Sequence, residues 1–261
     1  MTTFRTLRQQ ALAVLLTADP WQKADLARRL DEFDVVGADA VLAEPPGIPG
    51  RPPRPQLVAH TELRQRSVNS PAGLAALMHA LAHIELNAID LAVDMVWRFP
   101  GMPDAFYRDW AQVAREEAYH FGLLSARLAE LGCAYGDLPA HNALWEMAQK
   151  TRHDLLARIA LVPRTLEARG LDASPPIRHK LVSVGDQRGA AILDVILRDE
   201  IGHVAVGNRW YARLCEQRGL DPVATYAELA ERHGAPRPRG PFNLAARRAA
   251  GFCEEELLRL G

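Results

Sequence analysis

Hydrophobic residues recur every three or four positions along most of this 261-residue chain, which is the pattern of amphipathic α-helices. Four long stripes of this kind predict helices over about 71–99, 142–169 and 176–218 and, after Pro103, a helix whose stripe runs from Trp110 to Leu131. Gly132 and Gly170 follow the second and third stripes, where C-terminal glycine caps are expected. The pattern predicts an all-α fold built on a four-helix bundle.

The segments around these stripes have a different pattern. Residues 4–32 are predicted to be helical with a break near Asp19-Pro20, and prolines crowd residues 44–55, which predicts an extended strap or a mobile linker there. A second proline-rich break precedes a short last helix near 252–260. We therefore predict an N-terminal helical extension (1–43), a strap (44–70), the bundle (71–218) and a C-terminal extension packed on the bundle (219–261).

One proline lies inside the third predicted helix. Pro163 stands four residues before Glu167, and it cannot donate the backbone hydrogen bond that a regular helix needs at that turn. We expect a kink or a π-type bulge at this point.

Each apolar stripe contains a glutamate. Glu85 stands in the first stripe and Glu167 in the third, while the second and fourth contain the motif Glu-x-x-His as Glu117-His120 and Glu200-His203. The lone glutamates precede the motifs by 32 and 33 residues. The chain thus holds two copies of one helical hairpin, the arrangement by which ferritin-like bundles bind two metal ions.

Charge balance explains why these six residues predict a metal site. Four buried carboxylates would repel each other, whereas two divalent cations would neutralise them and find oxygen and nitrogen ligands that suit iron best, with manganese or a mixed pair as alternatives. Glu117 and Glu200 are best placed to bridge the ions and form the predicted catalytic pair; Glu85 and Glu167 would be terminal ligands. The alternative is a buried polar network in which Arg and Lys neutralise the glutamates and the histidines are core residues.

Composition limits the other classes of function. The net charge of −1 and the pI near 6.8 exclude a global basic field that would attract nucleic acid or anionic membranes. Cys133, Cys215 and Cys253 form neither a disulfide framework nor a thiolate site, and we expect a reducing cytoplasm. No run approaches the roughly 20 apolar residues of a membrane span, so we expect no membrane partner.

Residues beside the motifs suggest supporting roles. Asp199 could accept a ring N–H from a ligand histidine of the other hairpin, with a solvated charge as the alternative, and Glu116 holds the equivalent position in the first hairpin. His79 and His83 are predicted to be structural or to support the ligand residues, with a separate zinc site as the alternative. Core positions are expected for the aromatic residues Trp97, Trp110, Tyr119, Trp145, Trp210 and Tyr211, with a redox role for Tyr119 or Tyr211 as the alternative.

The chain resembles the DUF455 family of bacterial ferritin-like proteins. The resemblance rests on the segments His79–Asp90, Glu116–Phe121, Val162–Asp172, Asp199–His203, Gly240–Asn243 and Ala250–Phe252. Tyr119 departs from it, since an arginine is commoner there. The resemblance implies the fold and the di-metal site but no substrate; the nearest relatives in kind are ferritin-like tRNA hydroxylases, which oxidise a modified base with a di-iron centre and O₂.

The leading functional hypothesis is an O₂-dependent di-iron hydroxylase or monooxygenase. It would act on a small molecule or a modified tRNA base, need an electron donor, and be a monomer or small homo-oligomer. The alternatives are a ferroxidase, a manganese-catalase-like enzyme and a non-catalytic bundle stapled by metal. Binding of tRNA would need a basic patch, for which the candidates are Arg51, Arg54, Arg64, Arg66, Arg237, Arg239, Arg247 and Arg248; a scattered solvated surface is the alternative.

Overall fold

A computed structural model of the chain describes residues 5–63 and 66–260. Across these residues the regular secondary structure is helical, apart from one isolated bridge between Leu57 and Ala140. The predicted all-α class is therefore confirmed. The chain divides into two compact units, Met1–Ala143 and Leu144–Gly261.

The first unit is built on a long helical hairpin. Its helices are α3 (Pro71–Arg98) and α4 (Asp104–Glu130), which pack along each other. The hydroxyl of Ser70 caps α3 by accepting the N–H of Gly73 at 3.1 Å, and Gly132 follows α4 with φ of +73°. Both helices were predicted from the periodic pattern, and the bounds of α3 and the C-terminal end of α4 agree with it.

Two shorter helices cover this hairpin. Helix α1 (Leu7–Leu16) packs on α3, and α2 (Pro20–Arg28) packs mainly on α4. The predicted break between them is present because Asp19 caps α2, accepting the N–H of Gln22 at 2.8 Å. Both helices lie in the first unit.

The proline-rich segment is an extended strap bound to the same unit. Most of residues 39–59 have no regular structure. The N–H of Gly50 donates to the carbonyl of Leu15 at 2.7 Å, and the N–H of Val58 donates to the carbonyl of Ala140 at 2.8 Å. These bonds satisfy backbone groups in a segment where prolines prevent a helix.

The third predicted helix differs from its prediction. The structure divides it into α5 (Ala143–Lys150), α6 (Leu155–Leu161), a π-helical turn (Val162–Glu167) and α7 (Ala168–Ser183). The chain breaks before α6 because the Asp154 carboxylate accepts the N–H groups of Leu156 and Ala157 and so starts a new helix. Gly170 does not end a helix: it lies inside α7, with the hydroxyl of Ser174 donating to its carbonyl at 2.8 Å.

The fourth helix begins later than predicted. Helix α8 spans Gln187–Arg218, and the predicted start at Pro176 lies within α7. The chain turns at Gly185, with φ of +83°, and Asp186 caps α8 by accepting the N–H of Gly189 at 2.9 Å. The competing signals, Pro175-Pro176 and Gly185-Asp186, lie close in sequence, and packing selected the second.

Three helices follow α8 within the described residues. The periodic pattern missed α9 (Pro222–Arg232) and α10 (Leu244–Ala249), whereas α11 (Glu254–Leu258) confirms the predicted last helix. Helix α10 packs on α7 and α8. The apolar cluster beneath it consists of Ala168, Leu171, Val204, Ala246 and Ala250.

Helix α3 is more apolar than the sequence pattern predicted. By length and composition it could cross a membrane, and 61% of its most apolar 18-residue window is buried. The expectation that no run approaches a span was therefore too strong. Such burial is consistent with the core helix of a soluble protein.

Candidate metal centre

Three predicted ligands lie together in the first unit. Glu85 projects from α3, and Glu117 and His120 project from α4; all three side chains are buried. The Nδ1 atom of His120 lies 3.3 Å from Oε2 of Glu85 and 3.3 Å from Oε2 of Glu117. Each residue offers a ligand atom within 4.8 Å of the others. This buried cluster could hold a metal ion.

The electrostatics of the cluster are those of a site built for a cation. Burial and the neighbouring charge of Glu117 raise the pKa of Glu85 to about 8, against the lowering effect of His120. Burial lowers the pKa of His120, but hydrogen bonds to Glu117 and Glu85 outweigh it and raise that pKa to about 12. Positive charge is therefore favoured at this point, as a proton or as a metal ion. Two carboxylates and one imidazole are suitable ligands for iron or manganese.

The second unit holds the other three predicted ligands. Glu200 and His203 lie one turn apart on α8 and are buried, with Oε2 of Glu200 3.8 Å from Nδ1 of His203. Glu167 is the last residue of the π-helical turn and is half-buried. A Cβ atom on Gly170 would lie 4.0 Å from the carboxyl carbon of Glu200, so α7 passes close to that carboxylate.

The π-helical turn confirms the bulge predicted from Pro163. The N–H of Ala168 donates to the carbonyl of Pro163 five residues earlier, and the hydroxyl of Thr165 donates to the carbonyl of Ala160 at 2.8 Å. The wider turn is held against α8 at Gly207, where a Cβ atom would lie 2.9 Å from Cβ of Pro163. The bulge therefore sets the position of Glu167, as π-bulges at functional sites often do.

His79 and His83 have structural contacts, as predicted. Nε2 of His79 accepts the N–H of Gly136 at 3.0 Å. His83 bonds the hydroxyl of Tyr135 at 2.8 Å and lies 2.9 Å from the carbonyl of His141. The two histidines thus fix the loop after α4 to α3.

The residues next to the Glu-x-x-His motifs have local partners. Asp199 pairs with Arg198 at 2.8 Å, and Glu116 accepts a hydrogen bond from Gln112 at 2.7 Å. Their roles toward the ligand histidines stay predictions. Tyr119 is 48% exposed, so its predicted core position is wrong. The other aromatic residues of that set are buried: Trp97, Trp110, Trp145, Trp210 and Tyr211.

Several arginines of the predicted basic patch are committed to neighbours within their own unit. Arg51 donates to Asn142 at 2.6 Å; Arg247 is buried and paired with Asp172 at 2.5 Å, and Arg248 pairs with Glu254. Arg64 lies outside the described residues. These contacts favour the alternative of a scattered set of charges over a basic patch.

One buried residue was not foreseen as a candidate. Arg164, in the π-helical turn, is 4% exposed and its guanidinium carbon lies 4.0 Å from the ring centre of Tyr211. The run Val162-Pro-Arg-Thr-Leu-Glu167 contains no periodic signal for it, and arginine is mostly exposed in folded proteins.

The fold and the buried carboxylate and imidazole ligands define an all-α helical protein with a candidate metal site. The chain belongs to the DUF455 family, whose model, described as a protein of unknown function, matches residues 15–258. A protein of Haemophilus influenzae described as uncharacterized is 43% identical over 270 residues, covering 95% of this chain and 91% of that protein. No solved structure matches the chain.

Proposed function

We propose that the protein is a ferritin-like, carboxylate-bridged di-metal oxidoreductase, an O₂-dependent hydroxylase or monooxygenase that binds iron. The observation that carries this proposal is the buried cluster of the first unit, where one imidazole nitrogen faces two carboxylates at 3.3 Å each. Such a cluster is costly to bury unless a cation joins it. When bound, a pair of iron ions supplies the electron transfer and O₂ chemistry that protein side chains lack.

The second half of the proposal comes from the repeat in the sequence. Glu167, Glu200 and His203 repeat the ligand types and the order of the first hairpin, so we propose that each hairpin provides the ligands of one ion, as in ferritin-like bundles. Two carboxylates and a neutral imidazole balance one divalent cation. Glu117 and Glu200, as the glutamates of the paired motifs, would bridge the ions.

Metal binding would also change the protonation of the ligand side chains. The raised pKa values of Glu85 and His120 indicate that the metal-free cluster holds protons at neutral pH, and a ligand must lose its proton to bind metal. Metal loading would therefore release protons from this cluster. Its burial keeps bulk water away from the ligands.

The cellular setting is also a proposal. Cys133, Cys215 and Cys253 are free thiols, which supports a reducing cytoplasm. A small-molecule substrate is favoured over a modified tRNA base because Arg51, Arg247 and Arg248 are engaged in contacts within the protein. An electron donor is required by the proposed chemistry.

The test is metal analysis of protein purified without a metal-affinity tag and loaded with Fe(II) under anaerobic conditions. We expect close to two iron ions per chain, and loss of metal in Glu117→Ala and in Glu200→Ala. Glu130→Ala is the matched control, because it removes an exposed carboxylate from the same helix, and it should retain the metal. Consumption of O₂ by the reduced protein would then be measured.

Other outcomes would select the alternatives. Bound manganese with disproportionation of peroxide would indicate a catalase-like enzyme. Two bound ions without O₂ consumption would indicate a metal-stapled bundle, and iron oxidation without hydroxylation a ferroxidase. Little metal in the loaded wild type would refute the di-metal centre and leave a buried polar network.

A further inference from the structure

A pocket of about 490 Å³ opens in the second unit. Its walls come from the π-helical turn, from α9 and from the C-terminal residues, and its apolar lining includes Val223, Ala227, Ala230, Phe252 and Leu260. This volume is in the range of pockets that enclose a small organic molecule. The nature of its polar groups therefore decides which ligand it suits.

The most informative polar group in the wall is Arg164. Its Nε donates to Oδ1 of Asn208 at 2.5 Å, and its Nη2 donates to the carboxylate of Glu256. Nη1 is buried and has no hydrogen-bond partner among the described residues. A buried donor without a partner is costly. Nη1 has almost no accessible surface, so an acceptor in the pocket would reach it after a shift of the Arg164 side chain, which that cost favours.

Of the arginines that line the pocket, one has no acidic partner among the described residues. Three of the four lining arginines form ion pairs: Arg164 with Glu256, Arg247 with Asp172 and Arg259 with Glu255. The fourth, Arg237, is exposed and has no acidic partner among the residues that the structure describes. One surplus positive charge suits a ligand with one negative charge.

The apolar wall and the guanidinium are adjacent. The guanidinium carbon of Arg164 lies 5.3 Å from the ring centre of Phe252 and 5.4 Å from that of Tyr226. An acceptor bound at Arg164 would therefore have its apolar part against Phe252 and α9. Such a ligand has a charged head and an apolar body.

We propose that this pocket binds a small organic monoanion, namely a carboxylic acid with an apolar body. The carboxylate would face the guanidinium of Arg164, with Arg237 at the mouth, and the body would occupy the space beside Phe252. The pocket lies wholly in the second unit, and none of the residues that line it is a proposed metal ligand. The two proposals therefore stand or fall separately.

The test is calorimetric titration of the full chain, metal-loaded and chelated, with sodium octanoate as the probe. We expect one octanoate per chain in both forms. Octanol tests the need for the charge, and we expect at least about tenfold weaker binding, because hydrogen bonds to charged groups are the stronger ones. Octyl phosphate tests the charge number and should bind no better than octanoate.

Variants locate the binding. Arg237→Gln should weaken octanoate about two- to fivefold, as expected for an exposed charge, while the matched control Arg239→Gln, an exposed arginine outside this pocket, should leave it unchanged. Ala230→Leu should block binding by filling the pocket. Arg164→Lys should weaken binding at least about tenfold, with circular dichroism to confirm the fold.

Three results would overturn the proposal. Absence of octanoate binding would remove the site, and equal binding of octanol would show an apolar pocket without anion recognition. If octyl phosphate bound at least about tenfold more tightly than octanoate, the pocket would prefer a dianion to a monoanion. Because Ala230→Leu leaves every arginine in place, octanoate binding that survives this variant would place the ligand elsewhere.

Discussion

Nδ1 of His120 lies 3.3 Å from Oε2 of Glu85, although the two residues belong to different helices. This contact fixes the depth of α3 against α4, since each group is buried and has few other ways to be satisfied. A cation bound at this point would contact groups of both helices. Stability and metal loading should therefore be coupled.

Removal of metal is expected to lower thermal stability. A ligand that binds only the folded state stabilises it, so for a tightly bound ion we expect chelation to reduce the thermal midpoint on the order of 5–10 °C. Scanning calorimetry with and without a chelator measures the shift. Glu117→Ala should show no response to the chelator, and an equal response in both proteins would contradict the assignment of Glu117 as a ligand.

The buried ion pair between α2 and α3 should matter for stability when one partner is removed, but much less when both are replaced by apolar residues. Nζ of Lys23 contacts the carboxylate of Asp90, and both side chains are almost fully buried; burial raises the pKa of Asp90, while Lys23 opposes that rise. Lys23→Met leaves a buried carboxylate alone and should cost about 3–5 kcal/mol in urea unfolding. Adding Asp90→Leu should recover most of the loss, and a double variant as unstable as the single one would argue against this account.

Two glycines of α8 should respond in opposite ways to alanine. A Cβ atom on Gly207 would lie 2.9 Å from Pro163, so Gly207→Ala should destabilise the protein by about 1–3 kcal/mol. A Cβ atom on Gly202 would meet nothing within 4 Å, so Gly202→Ala should be neutral or stabilising by up to about 1 kcal/mol. Chemical denaturation of both variants checks the sign. Equal stability would show that the π-helical turn moves away from α8 at no cost.

Acidification should weaken the first unit through His79. Burial lowers the pKa of His79 below its ordinary value of 6.5, although Asp137 opposes the shift. The unfolded chain then binds more protons than the folded chain as the pH falls below about 6.5, so stability is lost on acidification. Urea unfolding at pH 7, 6 and 5 should show a smaller loss for His79→Gln than for the wild type. His179→Gln, which changes an exposed histidine, is the control and should follow the wild type.

Much of the local structure was determined by the sequence itself. The three-and-four spacing of apolar residues specified α3 and α4 closely, and Pro163 specified the π-helical turn because it lacks the donor that a regular turn requires. The spacing also placed the two residues of each Glu-x-x-His motif on one helix face. These are properties of neighbours along one helix, which a sequence contains in full.

Other features were decided by tertiary structure alone. Pro175-Pro176 and Gly185-Asp186 both signal a helix boundary, and packing selected the second pair. The contact of Lys23 with Asp90, the burial of Arg164 and the exposure of Tyr119 likewise depend on which helix faces meet. Periodicity tells which face of a helix is apolar, but the partner that covers it is distant in sequence, and the energy of a buried charge depends on that partner. For this reason the six candidate ligands could be named from the sequence, whereas the pocket beside Arg164 became visible only in the folded protein.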